Sequence, residues 1–550
     1  MNTVHYFCSC IINISLIISI ANAQSIRPQL TNTSSTAVGI FILAGQSNAS
    51  GRGELNASTE TPDSRVIMFG NDYLWKTAYE PVDDPTNQID TVSSDNSVIT
   101  PTKGHSFALK AAKDLVTTSI QSAILIPCPR GGTKISQWRK PVDPFDRTTL
   151  FGSCNYRQST AAPGGINAMW WYQGESNQST PGTFITENTQ LMNEFRSEMG
   201  ANLPIIYVQL AKQTTITSNS AQHHLGELQR LMETGSGDTS SISNHFMVVA
   251  FDLPLIDNVH INQTAQKELG RRIALSTREH VYGESIDGTG PRLITSRPLI
   301  HPNGDKSTIK VQLSQSVNTA VNRYDNQFRV YDTNTEISIA NVFRDTSDNS
   351  AVIISMITAA SGVVTVSYGE VTPSGLGKWY TNVIKGANEL PLPRFGPLTV
   401  YNPKDIIIDN SDPEFSIISG TWGTNNLAGG YGANYRYHIT TTANDIVRWT
   451  PDIFTPGYYR VSIWYSASTN RANNVPITIN AQSGSTTILI NQRINGSQWF
   501  NLGNFAFDAG TTGYIELSDN AEFGKYVIAD AVRLTYINPI AVSLVDFNSK

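Results

Sequence analysis

Short apolar runs alternate with helical patterns over the first half of the chain. The runs are continuous rather than alternating, which is typical of parallel strands covered on both faces. Strand and helix alternate, so we predict a doubly wound α/β domain with a parallel sheet over residues 37–283. The predicted strands lie at 38–43, 123–126, 168–172, 205–210 and 246–251, and the predicted helices at 105–115, 184–199, 221–232 and 263–280.

The pattern changes after about Gly283. Short strands separated by turns follow, and they predict an all-β sandwich over residues 284–402. Residues 403–538 are also rich in strand and turn patterns and in tryptophan and tyrosine, so we expect a second all-β sandwich there. The stretch 539–550 is a tail without an assigned role.

The N-terminus has the pattern of a signal peptide. An apolar run at 11–20 precedes Ala21-Asn22-Ala23, which fits cleavage before Gln24 and leaves a linker at 24–36. The alternative is a membrane anchor, but the run is too short to span a bilayer comfortably. We therefore expect a secreted or extracellular protein, with the periplasm or cell surface as further possibilities, and no membrane partner after cleavage.

Composition and charge narrow the class of protein. The chain has 550 residues, too many for one core, and its 39% hydrophobic and 15% charged residues are typical of a folded secreted protein. Its formal net charge is -6 and it lacks a long basic run, which argues against a nucleic-acid partner.

Two cysteines remain if the signal peptide is removed. Of the four in the chain, Cys8 and Cys10 would leave with the signal, so Cys128 and Cys154 remain. An exported chain with two cysteines favours one disulfide bond between them. The alternative is a pair of free, buried thiols.

Polar residues follow four of the predicted strands. Parallel strands joined by right-handed crossovers end at one edge of a sheet, so these residues are expected to share a cleft. They are Ser47, the segment Arg130-Gly131-Gly132-Thr133, the segment Gln173-Gly174-Glu175-Ser176-Asn177, and the segment Asp257-Asn258-Val259-His260.

The chemistry that these residues favour is acyl transfer. A serine hydroxyl needs a base within hydrogen-bond reach and a third group that orients the base. Ser47 is the candidate nucleophile, His260 the base and Asp257 the orienting acid. Asp252 is a rival acid, but its distance from His260 favours Asp257. The simpler alternative is that Ser47 only caps a helix.

The remaining polar groups have expected roles around this centre. Oxyanion donors are expected from the backbone N–H groups of Ser47 and of Gly131 or Gly132, with the Gln173 amide as a third donor. The residues expected to contact the substrate are Gln46, Asn48, Arg130 and Glu175. No set of histidine, cysteine and acidic residues has convincing metal spacing, so neither a metal nor another cofactor is expected.

These motifs resemble the SGNH hydrolase superfamily, and within it the sialate O-acetylesterase and carbohydrate esterase family six branch. The matching blocks are Gly45-Gln46-Ser47-Asn48, Gly131-Gly132-Thr133, Trp171-Tyr172-Gln173-Gly174-Glu175-Ser176 and Asp257 to His260. The resemblance covers about residues 37–282. It implies a three-layer, flavodoxin-like α/β/α fold and metal-independent deacetylation of sugars, with Ser47, Asp257 and His260 as the triad.

The last segment resembles golvesin-type domains, which are carbohydrate-binding-like modules of secreted bacterial enzymes. The matching stretches are Ile408 to Pro413, Ser419 to Trp422, Asn470 to Ala472 and Ile528 to Arg533. Exposed tryptophan or tyrosine rings there are candidates for stacking on sugars. The alternative is that these aromatic residues form the core and the domain is a spacer.

The leading hypothesis is therefore a secreted carbohydrate O-acetylesterase whose substrate is an acetylated carbohydrate and whose C-terminal domain is a possible polysaccharide binder. One alternative keeps the triad but acts on other esters, as a general short-chain carboxylesterase or a lipase. Another is a glycan-binding surface protein with a catalytically decayed hydrolase domain. Xylan, sialic acid and other polysaccharides all remain open as the acetylated substrate.

Overall fold

The computed structural model describes most of the chain and groups it into two compact units. The first unit contains residues up to 295 together with 312–354 and 364–399, and the second contains 296–311, 355–363 and those from 400 onward. The predicted signal peptide, linker and tail lie outside the described residues. Those residues are 38–94, 102–213, 220–294, 299–302, 306–318, 327–333, 335–370, 383–386, 388–400, 405–426, 429–453 and 456–538.

The first part of the chain contains nine strands and six helices among its described residues. The strands are β1 Val38–Gly45, β2 Gly53–Glu54, β3 Val66–Phe69, β4 Trp75–Thr77, β5 Lys103–His105, β6 Ser122–Pro127, β7 Ala168–Tyr172, β8 Ile205–Gln209 and β9 His245–Val249. The helices are α1 Ser47–Ser50, α2 Ala108–Thr118, α3 Leu150–Ala161, α4 Phe184–Met199, α5 Ser220–Leu231 and α6 Gln263–His280. Short 3₁₀ turns lie at Ile135–Trp138, Glu175–Asn177 and Pro181–Thr183.

A seven-stranded sheet carries the candidate site. Its strand order is β4-β3-β6-β1-β7-β8-β9, and every pair is parallel except β3 with the edge strand β4. The predicted α/β fold is therefore confirmed, with one antiparallel edge strand that makes the sheet mixed rather than fully parallel. Strand β1 lies at its centre because nearly all of its residues are apolar and buried.

The helices form the outer layers of this domain. Helix α2 packs on α6, whereas α3 packs on α4 and α4 packs on α5. Apolar side chains fill the space between the layers, for example where the rings of Phe41 and Trp170 stack 4.5 Å apart. No helix among the described residues has both the length and the apolar character needed to cross a membrane.

The rest of the described chain is all-β. Its strands are β10 Leu299–Ile300, β11 Thr308–Gln312, β12 Phe328–Asp332, β13 Thr335–Ile337, β14 Ile339–Arg344, β15 Ala351–Met356, β16 Val364–Tyr368, β17 Phe395–Thr399, β18 Ile406–Ile408, β19 Phe415–Ile417, β20 Gly423–Asn425, β21 Tyr435–Ile439, β22 Ile446–Trp449, β23 Gly457–Trp464, β24 Val475–Ala481, β25 Gly484–Ile490, β26 Phe500–Phe507, β27 Tyr514–Ser518, β28 Tyr526–Ala529 and β29 Ala531–Asn538. This agrees with the predicted change from α/β to β structure.

Each unit contains antiparallel sheets. In the first unit, one sheet has the order β13-β12-β16-β17. In the second, three sheets have the orders β18-β29-β23-β26, β19-β22-β27-β24-β25 and β20-β21-β28. Alternate residues of the long strand β23 point into the core of the second unit, where Tyr459, Val461 and Ile463 are fully buried.

Candidate active site

The candidate nucleophile lies on a sharp turn between β1 and α1. Gly45 ends the strand with φ +121°, and a Cβ at this position would lie 2.2 Å from the carbonyl oxygen of Tyr172 on β7. Glycine is therefore required both by the backbone conformation and by the close approach of the two strands. Gln46 N–H donates to the same carbonyl at 2.9 Å, and Ser47 begins the helix at the carboxyl edge of the sheet.

Ser47, His260 and Asp257 are connected by hydrogen bonds. The Nε2 atom of His260 lies 3.0 Å from Ser47 Oγ, and its Nδ1 atom lies 2.8 Å from Asp257 Oδ2. The other carboxylate oxygen of Asp257 accepts the backbone N–H groups of Val259 and His260, each at 2.8 Å. These bonds hold the imidazole between the hydroxyl and the carboxylate, as a general base requires.

The environment favours a neutral His260 and an ionised Asp257. Burial lowers the pKa of His260, and the charges of Arg52 and Lys103 lower it further, while Asp257 acts in the opposite direction. Burial acts to raise the pKa of Asp257, but the hydrogen bonds from His260 and Val259 outweigh this and lower it. A neutral imidazole beside an ionised carboxylate can accept the proton of the serine hydroxyl.

The rival acid, Asp252, is committed to another partner. Both of its carboxylate oxygens bind the guanidinium of Arg272, at 2.6 and 2.7 Å, and the two side chains are buried. This bidentate pair fixes Asp252 against helix α6. The acid that reaches His260 is Asp257.

Asn48 connects the nucleophile turn to the loop that carries His260. It is fully buried, and its Nδ2 group donates to Glu175 Oε1 at 2.6 Å and to the carbonyl oxygen of Val259 at 3.3 Å. Its Oδ1 atom accepts the backbone N–H of Ile261 at 3.1 Å. Asn48 therefore binds the residues on both sides of His260. We expected Asn48 to contact the substrate, but it is buried with its polar atoms bonded within the domain.

Glu175 supports this arrangement from β7. One of its oxygens accepts from Asn48, and the other is buried without a hydrogen-bond partner among the described residues. Burial raises the pKa of Glu175 to about 7, although the hydrogen bond from Asn48 opposes the rise. Glu175 thus contacts Asn48, and its expected contact with substrate stays a prediction.

Gln173 and Gln46 form a second internal link below the serine. The Gln173 amide nitrogen donates to the carbonyl oxygen of Thr133 at 2.6 Å and to Gln46 Oε1 at 3.0 Å. An amide nitrogen has two hydrogens, so this arrangement leaves none for an oxyanion. Gln46 Oε1 also accepts the Ser176 N–H at 3.2 Å, and both glutamines are buried. Gln173 thus holds the glycine loop rather than supplying the third oxyanion donor. Gln46, which was expected to contact the substrate, is buried.

The glycine loop after β6 lies beside the nucleophile turn. Arg130 N–H donates to the carbonyl oxygen of Gly45 at 2.9 Å, and its guanidinium donates to the carbonyl oxygens of Thr91 and Ser94. Gly131 is half-buried, and Gly132 is exposed with φ +73°. No hydrogen bond among the described residues uses the N–H of either glycine. Together with the N–H of Ser47, which begins its helix, they are available to a ligand.

A disulfide joins the end of β6 to helix α3. Cys128 and Cys154 are bonded, with their Cα atoms 5.4 Å apart and a separation of 26 in sequence. The bridge closes the segment that contains Gly131 and Gly132. The glycine loop is therefore held before Gly131 by the disulfide and by Arg130 N–H on Gly45, and after Gly132 by the Gln173 amide on Thr133.

Comparisons with known families match both halves of the chain. Residues 37–279 match the model of the family described as carbohydrate esterase, sialic acid-specific acetylesterase, and residues 406–536 match the Golvesin C-terminal domain. Both predicted resemblances are confirmed. The first domain belongs to a carbohydrate acetylesterase family. It is therefore a hydrolase domain that acts on ester bonds.

Individual relatives each cover part of the chain. A probable carbohydrate esterase of Arabidopsis thaliana is 28% identical over 256 residues, which is 43% of this chain and 88% of that protein. A xanthan lyase of a Bacillus species is 30% identical over 148 residues, which is 26% of this chain and 16% of the lyase. The solved carbohydrate acetylesterase of Xanthomonas citri has a TM-score of 0.47 at 17% identity, covering 65% of this chain and 80% of that one.

Proposed function

We propose that this chain, which carries an ester hydrolase domain followed by all-β sheets, is a secreted carbohydrate O-acetylesterase that works through an acyl-enzyme on Ser47. The observation that carries the proposal is the hydrogen-bonded series from Ser47 Oγ through His260 to Asp257. Two unused backbone N–H donors on the neighbouring glycine loop support it. The family description and the name of the Arabidopsis relative both favour a sugar ester as substrate.

In the first half of the reaction, Ser47 Oγ attacks the carbonyl carbon of the acetyl group while His260 Nε2 takes the hydroxyl proton. The negative charge on the carbonyl oxygen is stabilised by the N–H groups of Ser47 and of Gly131 or Gly132. Asp257 holds the ring in the correct tautomer and stabilises the imidazolium. The carbon–oxygen bond to the sugar then breaks, and His260 returns the proton to the departing sugar oxygen.

In the second half, water clears the acetyl group from Ser47. His260 accepts a proton from the water as the water oxygen attacks the acetyl carbon, and the same donors stabilise the second oxyanion. The bond to Ser47 breaks, Ser47 Oγ recovers its proton from His260, and acetic acid is released. Residues of this chain supply every proton transfer in the cycle.

The nucleophile is tested by replacing Ser47 with alanine. We expect Ser47→Ala to lower the hydrolysis of p-nitrophenyl acetate and acetate release from acetylated polysaccharides by roughly 10⁴-fold or more. Ser58→Ala, on an exposed turn, is the matched control and should keep full activity. Survival of activity within about tenfold of the wild type in Ser47→Ala would reject the proposed nucleophile.

The acyl group and sugar are tested separately. Comparing acetyl with octanoyl esters distinguishes an acetylesterase from a lipase, and a preference for octanoyl would reject the acetylesterase proposal. A panel of acetylated xylan, O-acetylated sialic acid and other acetylated polysaccharides then identifies the sugar. We expect faster acetate release from at least one glycan than from p-nitrophenyl acetate at equal ester concentration.

Export is supported by the disulfide between Cys128 and Cys154, because such bonds persist in oxidising compartments. The predicted signal peptide at 1–23 would direct the chain to the secretion pathway. The test is expression of the full chain in a host with a secretion pathway, followed by N-terminal sequencing of the product in the medium. We expect a mature chain that begins at Gln24, whereas an unprocessed product retained in the cell contradicts export.

We also propose that the second unit binds polysaccharide through a face that we call the aromatic face, formed by Tyr431, Trp464 and Trp499. Their ring centroids lie 5.0 to 5.7 Å apart and all three side chains are half-buried. The guanidinium of Arg533 lies 4.7 Å from the ring centroid of Trp499. Aromatic rings that keep part of their surface in solvent suit stacking on sugar rings.

Other aromatic residues of this unit are core, as the alternative interpretation predicted. Trp422, Trp449 and Tyr435 are each at least 95% buried. In gels that contain the polysaccharide, we expect the migration of Trp499→Ala to be retarded less than that of the wild type. The control, Tyr458→Ala, changes a ring that is 41% exposed on strand β23 and should migrate as the wild type does. Equal retardation of Trp499→Ala and wild type would reject this binding face.

A further inference from the structure

Three buried side-chain oxygens in the second unit have no hydrogen-bond partner among the described residues. They are Asp409 Oδ2, Asn410 Oδ1 and Asp530 Oδ1. Their residues are 9%, 2% and 0% exposed. An unpaired polar atom in the interior is costly, and an unpaired carboxylate more so. Three such atoms on two carboxylates and an amide therefore call for a ligand.

All three residues are in contact with one loop, Gly430 to Asn434, which we call the tyrosine loop because it carries Tyr431. Asp530 Oδ2 accepts the Tyr431 N–H at 3.0 Å, and Asn410 Nδ2 donates to Asn434 Oδ1 at 2.6 Å. A Cβ on Gly432 would lie 2.9 Å from Asp409 Oδ2. The loop thus lies across the group, and side-chain oxygens of both aspartates face it.

The charges of this group are not compensated within the described part of the chain. Neither Asp409 nor Asp530 forms an ion pair there with lysine or arginine. The two carboxylates lie close enough for their charges to repel each other. Two buried carboxylates that repel each other require either a proton or a cation between them.

A second acidic group in the same unit provides the contrast. His438, Asp445 and Asp519 also lie close together, with side-chain nitrogen to oxygen distances of 3.4 Å. Asp519 is fully buried, but its oxygens accept the backbone N–H groups of Asp445 and Thr441, at 2.7 and 2.9 Å, and the Thr441 hydroxyl. Donors from the chain already saturate this carboxylate, so acidic clustering alone does not distinguish the two groups.

We propose that Asp409, Asn410 and Asp530 bind a calcium ion that fixes the tyrosine loop. The donors are all oxygens, two of them on carboxylates, which suits a hard cation and disfavours zinc or copper. Calcium also accepts the irregular geometry and the backbone carbonyls that a loop supplies, whereas magnesium requires a near-ideal octahedron. The ion neutralises the two aspartates and holds Tyr431 against Trp464 and Trp499.

Calcium titration of the full-length secreted chain tests the proposal. After removal of metals with EDTA, calorimetry with CaCl₂ at pH 7.5 should detect one ion per chain. Ligand linkage predicts that the melting temperature of the second unit rises by about 5 to 10 °C at 100 times the dissociation constant. Asp530→Asn and Asp409→Asn should each weaken calcium binding by at least tenfold, while Asp445→Asn in the saturated cluster should bind as the wild type does.

The outcomes separate the site from its rivals. No calcium binding by the wild type at 1 mM overturns the proposal. Loss of calcium binding in Asp445→Asn, but not in Asp530→Asn, also overturns it, because the ion would then bind at the cluster of His438, Asp445 and Asp519. Far-UV circular dichroism and the melting transition of the second unit check that each variant is folded. If Asp530→Asn and Asp409→Asn both unfold, the test rests on the other two proteins. Binding of one calcium ion per chain by both the wild type and Asp445→Asn then supports the proposal, and any other result overturns it.

Discussion

At the scale of single residues, the proposed mechanism makes the reaction depend on the protonation state of His260. Only a neutral imidazole can accept the Ser47 proton, and burial together with Arg52 and Lys103 lowers the pKa of His260 below its usual 6.5. Activity should therefore be lost as the pH falls through that lowered pKa and be flat above it. We expect kcat/KM for p-nitrophenyl acetate to be constant between about pH 7 and 8 and to fall tenfold per unit at lower pH.

The pH profile also has a clear contrary outcome. A midpoint above 7 would mean that the attraction of Asp257 outweighs burial at His260, so the balance of these two effects would be reversed. The measurement should use initial rates over pH 4.5 to 9 with a stability check at each pH, because Glu175 also has a pKa raised to about 7. Its hydrogen bond from Asn48 is compatible with either protonation state, so a second inflection is not expected.

In the proposed mechanism, Asn48 acts through His260 as a positioning residue. In Asn48→Ala the N–H of Ile261 and the carbonyl oxygen of Val259 lose their partner, which loosens the loop on both sides of the base. We expect kcat to fall by about 10- to 100-fold with KM changed less than about threefold, because a small displacement of a catalytic group is costly. Steady-state kinetics on p-nitrophenyl acetate measure both constants.

Glu175→Gln is the conservative control for this link. The glutamine side-chain oxygen can still accept from Asn48 Nδ2, so we expect most of the activity to remain. A purely structural role for Asn48 would instead lower the melting temperature and leave kcat of the folded enzyme unchanged. That result would contradict the positioning role.

The sequence predicts the residues of the candidate triad better than their supports. Ser47, Asp257 and His260 belong to recognisable motifs at strand ends, and the structure brings them together. The hydrogen-bonding roles of Gln46, Asn48 and Gln173 depend on which polar atoms become buried. Burial is decided by tertiary contacts, which no local sequence pattern contains. The choice between Asp257 and Asp252 is likewise decided by Arg272, which lies on another element.

At the scale of elements, the turn from β1 to α1 depends on Gly45. An alanine there needs φ near +121° and places its Cβ 2.2 Å from Tyr172 O, so β1 and β7 must separate. We expect Gly45→Ala to lower the free energy of unfolding by about 2 to 4 kcal/mol and to reduce activity, since Ser47 moves with the turn. Gly164→Ala, with nothing within 4 Å of its Cβ, should change stability little. An unchanged denaturation midpoint for Gly45→Ala would contradict this account.

Helix α3 and strand β3 are examples of elements in the α/β domain that the sequence pattern did not predict. Helix α3 is buried around most of its circumference, including Asn155, Arg157 and Gln158, so it lacks the single apolar stripe that marks a surface helix. Strand β3, Val66–Phe69, has only four residues and no flanking helical pattern. Longer elements with clear periodicity, such as α4 and α6, have the predicted bounds because local pattern and tertiary burial agree there.

At the scale of the whole molecule, the change of sequence pattern near residue 283 does not coincide with an end of contacts. Residues 364–399 belong to the same compact unit as the α/β domain. Gln209, at the end of β8, exchanges two hydrogen bonds of 3.0 Å with the backbone of Arg394, and Gly396 N–H donates to Glu227 at 3.2 Å. Local patterns could not predict this, because the partners are 185 and 169 positions apart.

Arg394 therefore stabilises the hydrolase domain from outside the matched segment 37–279. It is buried, donates to the carbonyl oxygen of Leu210 at 3.1 Å, and lies 5.4 Å from the ring centroid of Phe251. Burial lowers its pKa to about 10, so it stays charged at neutral pH. In the full chain, Arg394→Ala leaves a cavity and an unpaired carbonyl, and we expect a loss of about 2 to 4 kcal/mol in unfolding free energy.

The measurement is the temperature at which esterase activity is lost, since it reports on the α/β domain directly. Arg394→Ala should lose activity at a clearly lower temperature with kcat unchanged at 25 °C. Lys385→Ala, which removes one partner of a pair with the exposed Glu389, should match the wild type because surface ion pairs contribute little. A fragment of residues 37–283 that is as active and heat-stable as the full chain would show that the hydrolase domain does not need these strands, and would contradict the prediction.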